Sequence, residues 1–181
     1  MKKSTFLSTI AFTFIMLLAT NVNAQKFAKL DKSPLDASSF PASYKDANKQ
    51  IKVVYGRPFL KGRSLNDLAP NGKVWRTGAN EAPYITLYND MKIGGKNVKA
   101  GNYSLFTIPG EKEWTIILST DINVWGAYSY NEANDVVRVK APVTAGDESI
   151  ENFSIAFTEA NGGANMHLAW GTTRVVVPFT K

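Results

Sequence analysis

The chain has 181 residues, with 21 Lys and Arg against 15 Asp and Glu, one His and no Cys, for a formal charge of +6. The lack of Cys excludes a disulfide framework, a thiol nucleophile and a lipid-attachment cysteine, and a single His leaves too few ligands for a transition-metal site, so no metal and no cofactor is expected. The positive charges, among them Lys26, Lys29, Lys45, Lys52, Lys61, Lys73, Lys92, Lys96 and Lys99, are scattered rather than gathered into a stripe, which predicts a solvated surface and no nucleic-acid partner.

The N-terminus reads as an export signal. Lys2 and Lys3 form a charged start, Phe6 to Ala19 an apolar stretch, and Val22-Asn23-Ala24 supplies small residues at the positions a signal peptidase reads. That apolar stretch is shorter than the roughly 20 residues a spanning helix needs, and no later segment approaches that length, so no membrane span is expected after cleavage. Removing 24 leader residues from 181 leaves 157, and losing Lys2 and Lys3 takes the charge from +6 to +4. A periplasmic or secreted protein with one core is the expectation.

Residues 25–48 carry Ser, Pro, Lys and Asp with little periodicity and read as a lead-in arm, packed loosely along a sheet edge or mobile. Residues 49–181 read as a single β domain. Strands are predicted near 50–56, 73–77, 83–88, 90–98 as a small hairpin, 102–108, 113–119, 135–141, 150–158, 164–171 and 173–179, with one helical turn from Ser64 to Ala69. Phe153-Ser154-Ile155-Ala156-Phe157 and Met166-His167-Leu168-Ala169-Trp170 place a large apolar residue at every second position, the period of a half-buried strand. Asn71-Gly72, Gly94-Gly95, Pro109-Gly110 and Asn161-Gly162 supply the turns. The fold class is therefore all-β, an antiparallel two-sheet sandwich or jelly roll, with an open barrel as the competing closure.

Trp75-Arg76-Thr77-Gly78-Ala79-Asn80-Glu81-Ala82 combines an aromatic, opposed charges and two backbone-permissive residues. Gly78 and Asn80 tolerate positive φ, so a sharp bend is predicted there, with Arg76 and Glu81 folded back into an ion pair at the mouth of the sandwich. Trp125, Tyr128, Tyr130 and Asn131 form a second aromatic and polar loop. Tryptophans are mostly buried, so Trp75 and Trp125 are candidate plugs of the sandwich ends as well as candidate stacking platforms.

Reaction signatures are scarce. There is no Gly-x-Ser-x-Gly elbow, and Gly94-Gly95-Lys96 lacks the spacing of a phosphate loop and sits inside a predicted hairpin. His167 alternates with Met166 and Leu168, so it faces away from the core as a surface or hydrogen-bonded sheet histidine. Glu81, Asp67, Asp121, Glu132 and Asp135 are acids spread over loops, and sequence does not say which of them meet. Binding of a small molecule, a glycan or an envelope partner through Trp75, Arg76, Asn80, Glu81, Trp125, Tyr128 and His167 is the leading expectation, and a small hydrolase-like enzyme built on Arg76, Asn80 and Glu81 is the alternative.

Tyr55-Gly56-Arg57-Pro58, Lys61-Gly62-Arg63, the run from Lys73 to Ala82, Ile93-Gly94-Gly95-Lys96, the run from Ala100 to Pro109, Glu113 to Ile117 and Trp125-Gly126-Ala127-Tyr128 occur in an order that resembles domain-of-unknown-function family 2911, an uncharacterised family of exported, Bacteroidetes-type bacterial proteins. The resemblance spans roughly residues 31 to 180, and Trp75-Arg76-Thr77-Gly78-Ala79 is its most specific mark. It implies a secreted, mostly β protein and brings no reaction or ligand with it. Pro83 stands where the family commonly has Thr, and Gly171 where an acidic residue is common.

Overall fold

The computed structural model describes residues 26–181; the export signal expected at residues 1–24 lies outside them. From Asp31 onward the chain is one compact unit of nine strands, one α-helical turn and one 3-10 turn. The strands are β1 (Leu35–Phe40), β2 (Ile51–Gly56), β3 (Ala79–Leu87), β4 (Met91–Ile93), β5 (Lys96–Val98), β6 (Gly101–Ile108), β7 (Glu113–Ser119), β8 (Asp135–Ala160) and β9 (Gly163–Thr180). Every neighbouring pair is antiparallel, in the order β1-β2-β3-β6-β7-β8-β9-β4-β5, so the all-β antiparallel expectation holds.

The two layers are halves of one continuous open sheet. β8 is shared between them: Asp135 to Pro142 pairs with β7, and the part beyond pairs with β9. The alternating positions of both halves then face a common core. Trp114, Ile116, Leu118, Phe153, Ile155, Phe157, Met166, Leu168, Trp170, Val175, Val177 and Phe179 are all buried in it, as their period of two requires. Tyr55 of β2 crosses that core, its ring edge-on to Phe153 at 5.8 Å and its hydroxyl accepting from the Ile155 backbone N–H at 2.8 Å. Burial raises the Tyr55 phenol above its ordinary pKa.

β8 and β9 each run through where two strands were expected. The register shifts between Ala145, Ile150 and Ser154, and Gly171 takes φ 55° opposite Ile150, so the long hairpin bends there without ending. The irregular ladder frees backbone carbonyls, and Arg174 takes them up. Its Nη1 donates to Gly171 O and Thr173 O, each at 2.9 Å, and its Nη2 to Glu148 O at 2.6 Å. Gly146 leaves room for the guanidinium, since a Cβ there would lie 2.6 Å from Arg174 Cζ. Arg174→Ala is therefore expected to cost about 1–3 kcal/mol in urea unfolding, because three acceptors at the bend lose a charged donor. A change of under a few tenths would show that water serves the bend equally well.

Two expectations need correction. Within the expected lead-in arm, residues 35–40 lie along a sheet edge as anticipated but form the regular strand β1, in register with β2 from Leu35↔Gly56 to Phe40↔Ile51. Arg57 secures that edge: it pairs with Asp36 at 2.9 Å, while donating to Phe153 O and to Ser154 Oγ of β8. Residues 73–77 do not form a strand. Only Trp75 bridges Thr107, because Thr77 turns the chain at φ 53° before the ladder can extend. The turn near residue 65 is present as α1 (Leu65–Leu68), closed by a capping box in which Asp67 N–H donates to Ser64 Oγ and Ser64 N–H to Asp67 Oδ2.

The outer face of β3, β6 and β7 carries a smaller apolar cluster of Ala82, Phe106 and Ile117, covered by Val124, Ala127 and Tyr130 of the loop after β7. This explains why Ile116, Ile117 and Leu118 are all buried in β7, against simple alternation. The covering loop is clamped at its far end, where the Tyr130 hydroxyl donates to Asp135 Oδ2 at 2.6 Å and Arg138 bonds both. Burial, followed by the Asp135 carboxylate, holds the Tyr130 phenol well above its ordinary pKa.

Candidate functional site

A concavity lies where the start of β3 meets the end of β2, and its shape begins with two glycines. Gly56 and Ala79 are register partners across an irregularity in the β2–β3 ladder. A Cβ on Gly56 would lie 2.5 Å from Ala79 O, and one on Gly78 would lie 2.8 Å from Gly56 O. The backbones thus touch where any side chain would separate them. The sharp conformations sit on the neighbours. Thr77 at φ 53° and Asn80 at φ 65° adopt the left-handed region, whereas Gly78, expected to do so, does not and serves by its small size. Thr77 is stabilised there by full burial and by a hydroxyl contact to Thr107 Oγ1 at 3.2 Å.

Asn80 and Glu81 then run alongside the loop that follows β7. Gly126 N–H donates to Asn80 O at 2.9 Å, Ala82 N–H donates to Val124 O at 3.0 Å, and Glu81 and Trp125 form a bridge pair. The apolar anchors Val124 and Ala127 pull this loop onto the sheet, so Trp125 between them is turned outward and is 61% exposed. Tyr84, three residues along β3, places its hydroxyl 2.8 Å from Asn123 Oδ1 and 3.3 Å from Glu81 Oε2. Partial burial and then the Glu81 charge raise its pKa. On the opposite side Asp31 and Leu35 lead into β1. Asp31 accepts the Ser33 backbone N–H at 2.7 Å, and that bond, followed by one from the Asn80 side chain, lowers its pKa below the ordinary carboxylate value.

These residues enclose a cavity of about 320 Å³ with Gly56 and Ala79 at its back and Trp125 as its outer wall. The volume is at the lower end of the roughly 300–1,000 Å³ of small-molecule sites. Much of the lining is apolar, and the polar groups that face it are Asp31, Ser33, Asn80, Glu81 and the Tyr84 hydroxyl.

Of the residues expected at a site, Asn80, Glu81 and Trp125 meet here and the others do not. Trp75 is a core plug, stacked on Trp170 with centroids 5.5 Å apart and edge-on to Trp114 and Phe153. Arg76 makes no ion pair with Glu81: its Nε is buried without a hydrogen-bond partner, and it does not line the cavity. The predicted pair fails because Ala79 onward is strand, which carries Glu81 away toward Tyr84 and Trp125. Tyr128 is 86% exposed, its ring lying over Gly126 where a Cβ would approach to 2.6 Å, and it stands outside the lining. His167 is on the outer face of β9, its Nε2 2.7 Å from Thr158 Oγ1, and is likewise outside the lining.

The remaining acids serve structure: Asp67 caps α1, Asp121 accepts from Asn134, and Glu132 and Asp135 pair with Arg138. Asn131 caps the 3-10 turn that precedes β8. Among the described residues no three His, Asp or Glu stand together as a metal site would need, and no helix is long and apolar enough to cross a membrane.

Sequence reasoning missed Asp31, Leu35 and Tyr84. Tyr84 lay inside a correctly predicted strand whose outward face was not followed, and Asp31 and Leu35 lay in an arm without periodicity.

Comparison with curated proteins found no match, and comparison with solved structures found none. Residues 38–179 match the model of a family described as Protein of unknown function (DUF2911). That match covers most of the chain, including β2 through β8, all but the last residue of β9 and the cavity residues Asn80, Glu81, Tyr84 and Trp125, while Asp31 and Leu35 precede it. The chain belongs to the DUF2911 family.

Proposed function

We propose that this is an exported, non-enzymatic binding protein that holds a small hydroxylated ligand, a glycan or envelope fragment, against Trp125 in the cavity between β1, β3 and the loop after β7. The observation that carries this reading is the presentation of Trp125. An indole exposed to solvent is held by backbone bonds on both sides, facing a cavity with hydrogen-bonding groups at its edge, which is how an aromatic platform takes the apolar face of a sugar ring. The wall is set before any ligand arrives, so little ordering cost attends binding.

Hydrolysis is less well supported. A general acid needs its pKa raised toward the working pH, and the bonds to Asp31 move it the other way. Arg76 and His167, which an acid-base reading would recruit, stand apart from the cavity.

Thermal-shift screening against glycans and envelope fragments tests the proposal, because a ligand of the folded state raises Tm. A hit should lose at least about tenfold in affinity in Trp125→Ala while the unliganded Tm stays within about 2 °C, since that indole contributes little to the core. Hits that bind Trp125→Ala as tightly would move the site elsewhere.

Export belongs to the same proposal and is supported by the charged start, apolar stretch and Val22-Asn23-Ala24 site of the sequence. Intact-mass measurement of chain recovered from the envelope fraction or medium is expected to give a mature N-terminus at Gln25. A mass that retains Met1 to Ala24 would contradict it.

A further inference from the structure

Asp31 and Glu81 both line the cavity, and no Lys, Arg or His stands among its lining residues. In a chain of formal charge +6 this is a local reversal of sign. Lys32, the cation that acts on Asp31, does not line the cavity. The Ser33 and Asn80 bonds favour the Asp31 carboxylate over its protonated form. The Tyr84 hydroxyl is directed at Asn123 and Glu81, so it is not free to receive an anion. A phosphate, sulfate or carboxylate entering here would meet two like charges and no cationic side chain in the lining. A cation would meet two carboxylates and the face of a tryptophan, the side chain whose ring attracts cations most strongly.

We infer that, if the cavity binds as proposed above, it selects a ligand with a positively charged nitrogen on a saccharide-sized body: an amino sugar whose ammonium is met by Asp31 and Glu81 while its ring lies against Trp125. The cavity volume of about 320 Å³ suits one such ring better than an extended polymer segment. Since the carboxylates reach solvent, the selection should weaken as salt screens them.

Isothermal titration of the purified chain with three probes tests this: the monosaccharide glucosamine, its N-acetylated counterpart, and spermidine. The free-amine saccharide is expected to bind about tenfold or more tightly than its acetylated counterpart at low salt. That preference should vanish in Asp31→Asn with Glu81→Gln, and Trp125→Ala should weaken both saccharides. Equal affinity for the two saccharides, with both still lost in Trp125→Ala, overturns the charge selection and leaves the binding proposal standing. Spermidine binding as tightly as the free-amine saccharide overturns the saccharide body. Binding by none of the three overturns the inference, while the wider glycan screen continues to judge the cavity by itself.

Discussion

Trp75→Ala is expected to destabilise the chain by about 3–5 kcal/mol, the range for truncating a fully packed tryptophan. Trp75 is 6% exposed and sits at the meeting point of both halves of the sheet. It stacks on Trp170 of β9 with an interplanar angle of 15°, and meets Trp114 of β7 edge-on at 6.0 Å and Phe153 of β8 at 5.1 Å. Its backbone is fixed by paired bonds with Thr107, at 2.7 Å and 2.9 Å, so the neighbouring side chains cannot follow it to fill the space. The loss therefore includes a cavity term as well as the transfer of the indole. Urea unfolding should show a lower midpoint with an unchanged slope. A loss under about 1 kcal/mol would mean that the two halves do not close over Trp75 as described.

The second large effect concerns Gly56 and Gly78. Alanine at either position forces a methyl group against a backbone carbonyl, Ala79 O in one case and Gly56 O in the other. Neither obstacle can rotate away, so each single substitution should cost about 1–3 kcal/mol. The two contacts are reciprocal: each depends on how closely residues 78–79 approach Gly56. Once the strands have parted to admit one methyl, the second meets less resistance, and the double variant should cost clearly less than the sum. Ligand affinity should fall with either change, because the same two strands form the back of the cavity. Strict additivity, or stability equal to the parent chain, would show that the approach at Gly56 is not tight.

Legibility from the sequence followed the strength of each local signal. Strands with bulky residues at every second position, such as Phe153-Ile155-Phe157 and Met166-Leu168-Trp170, were readable because one face is buried and the other is not. β1 was not, since Leu35-Asp36-Ala37-Ser38-Ser39-Phe40 has little apolar alternation and is held by its partner β2 and by Arg57. The continuity of β8 and β9 was also hidden. Pro142, Gly146 and Gly171 look like breaks, but Arg174 supplies the bonds that let the chain bend and go on. At the site, residues Asn80, Glu81 and Trp125 were identified by composition alone. The ion pair of Arg76 with Glu81 was wrong because spacing along a chain does not reveal that a strand starts at Ala79 and directs the two side chains apart. Asp31 reaches the cavity only through tertiary folding of the arm, which no local pattern encodes.

The most direct test of the cavity as the binding site uses the four tryptophans as reporters. Trp75, Trp114 and Trp170 are 6%, 2% and 1% exposed, whereas Trp125 is 61% exposed and walls the cavity. Their indole N–H signals, assigned by single Trp→Phe substitutions, can be followed by NMR during titration with any ligand that raises Tm. The predicted result is saturable movement of the Trp125 signal with the three core indoles nearly unmoved, and the loss of all movement in Trp125→Ala. A ligand that binds with the Trp125 signal stationary, shifting instead the backbone around His167 on the outer face of β9, would contradict the assignment.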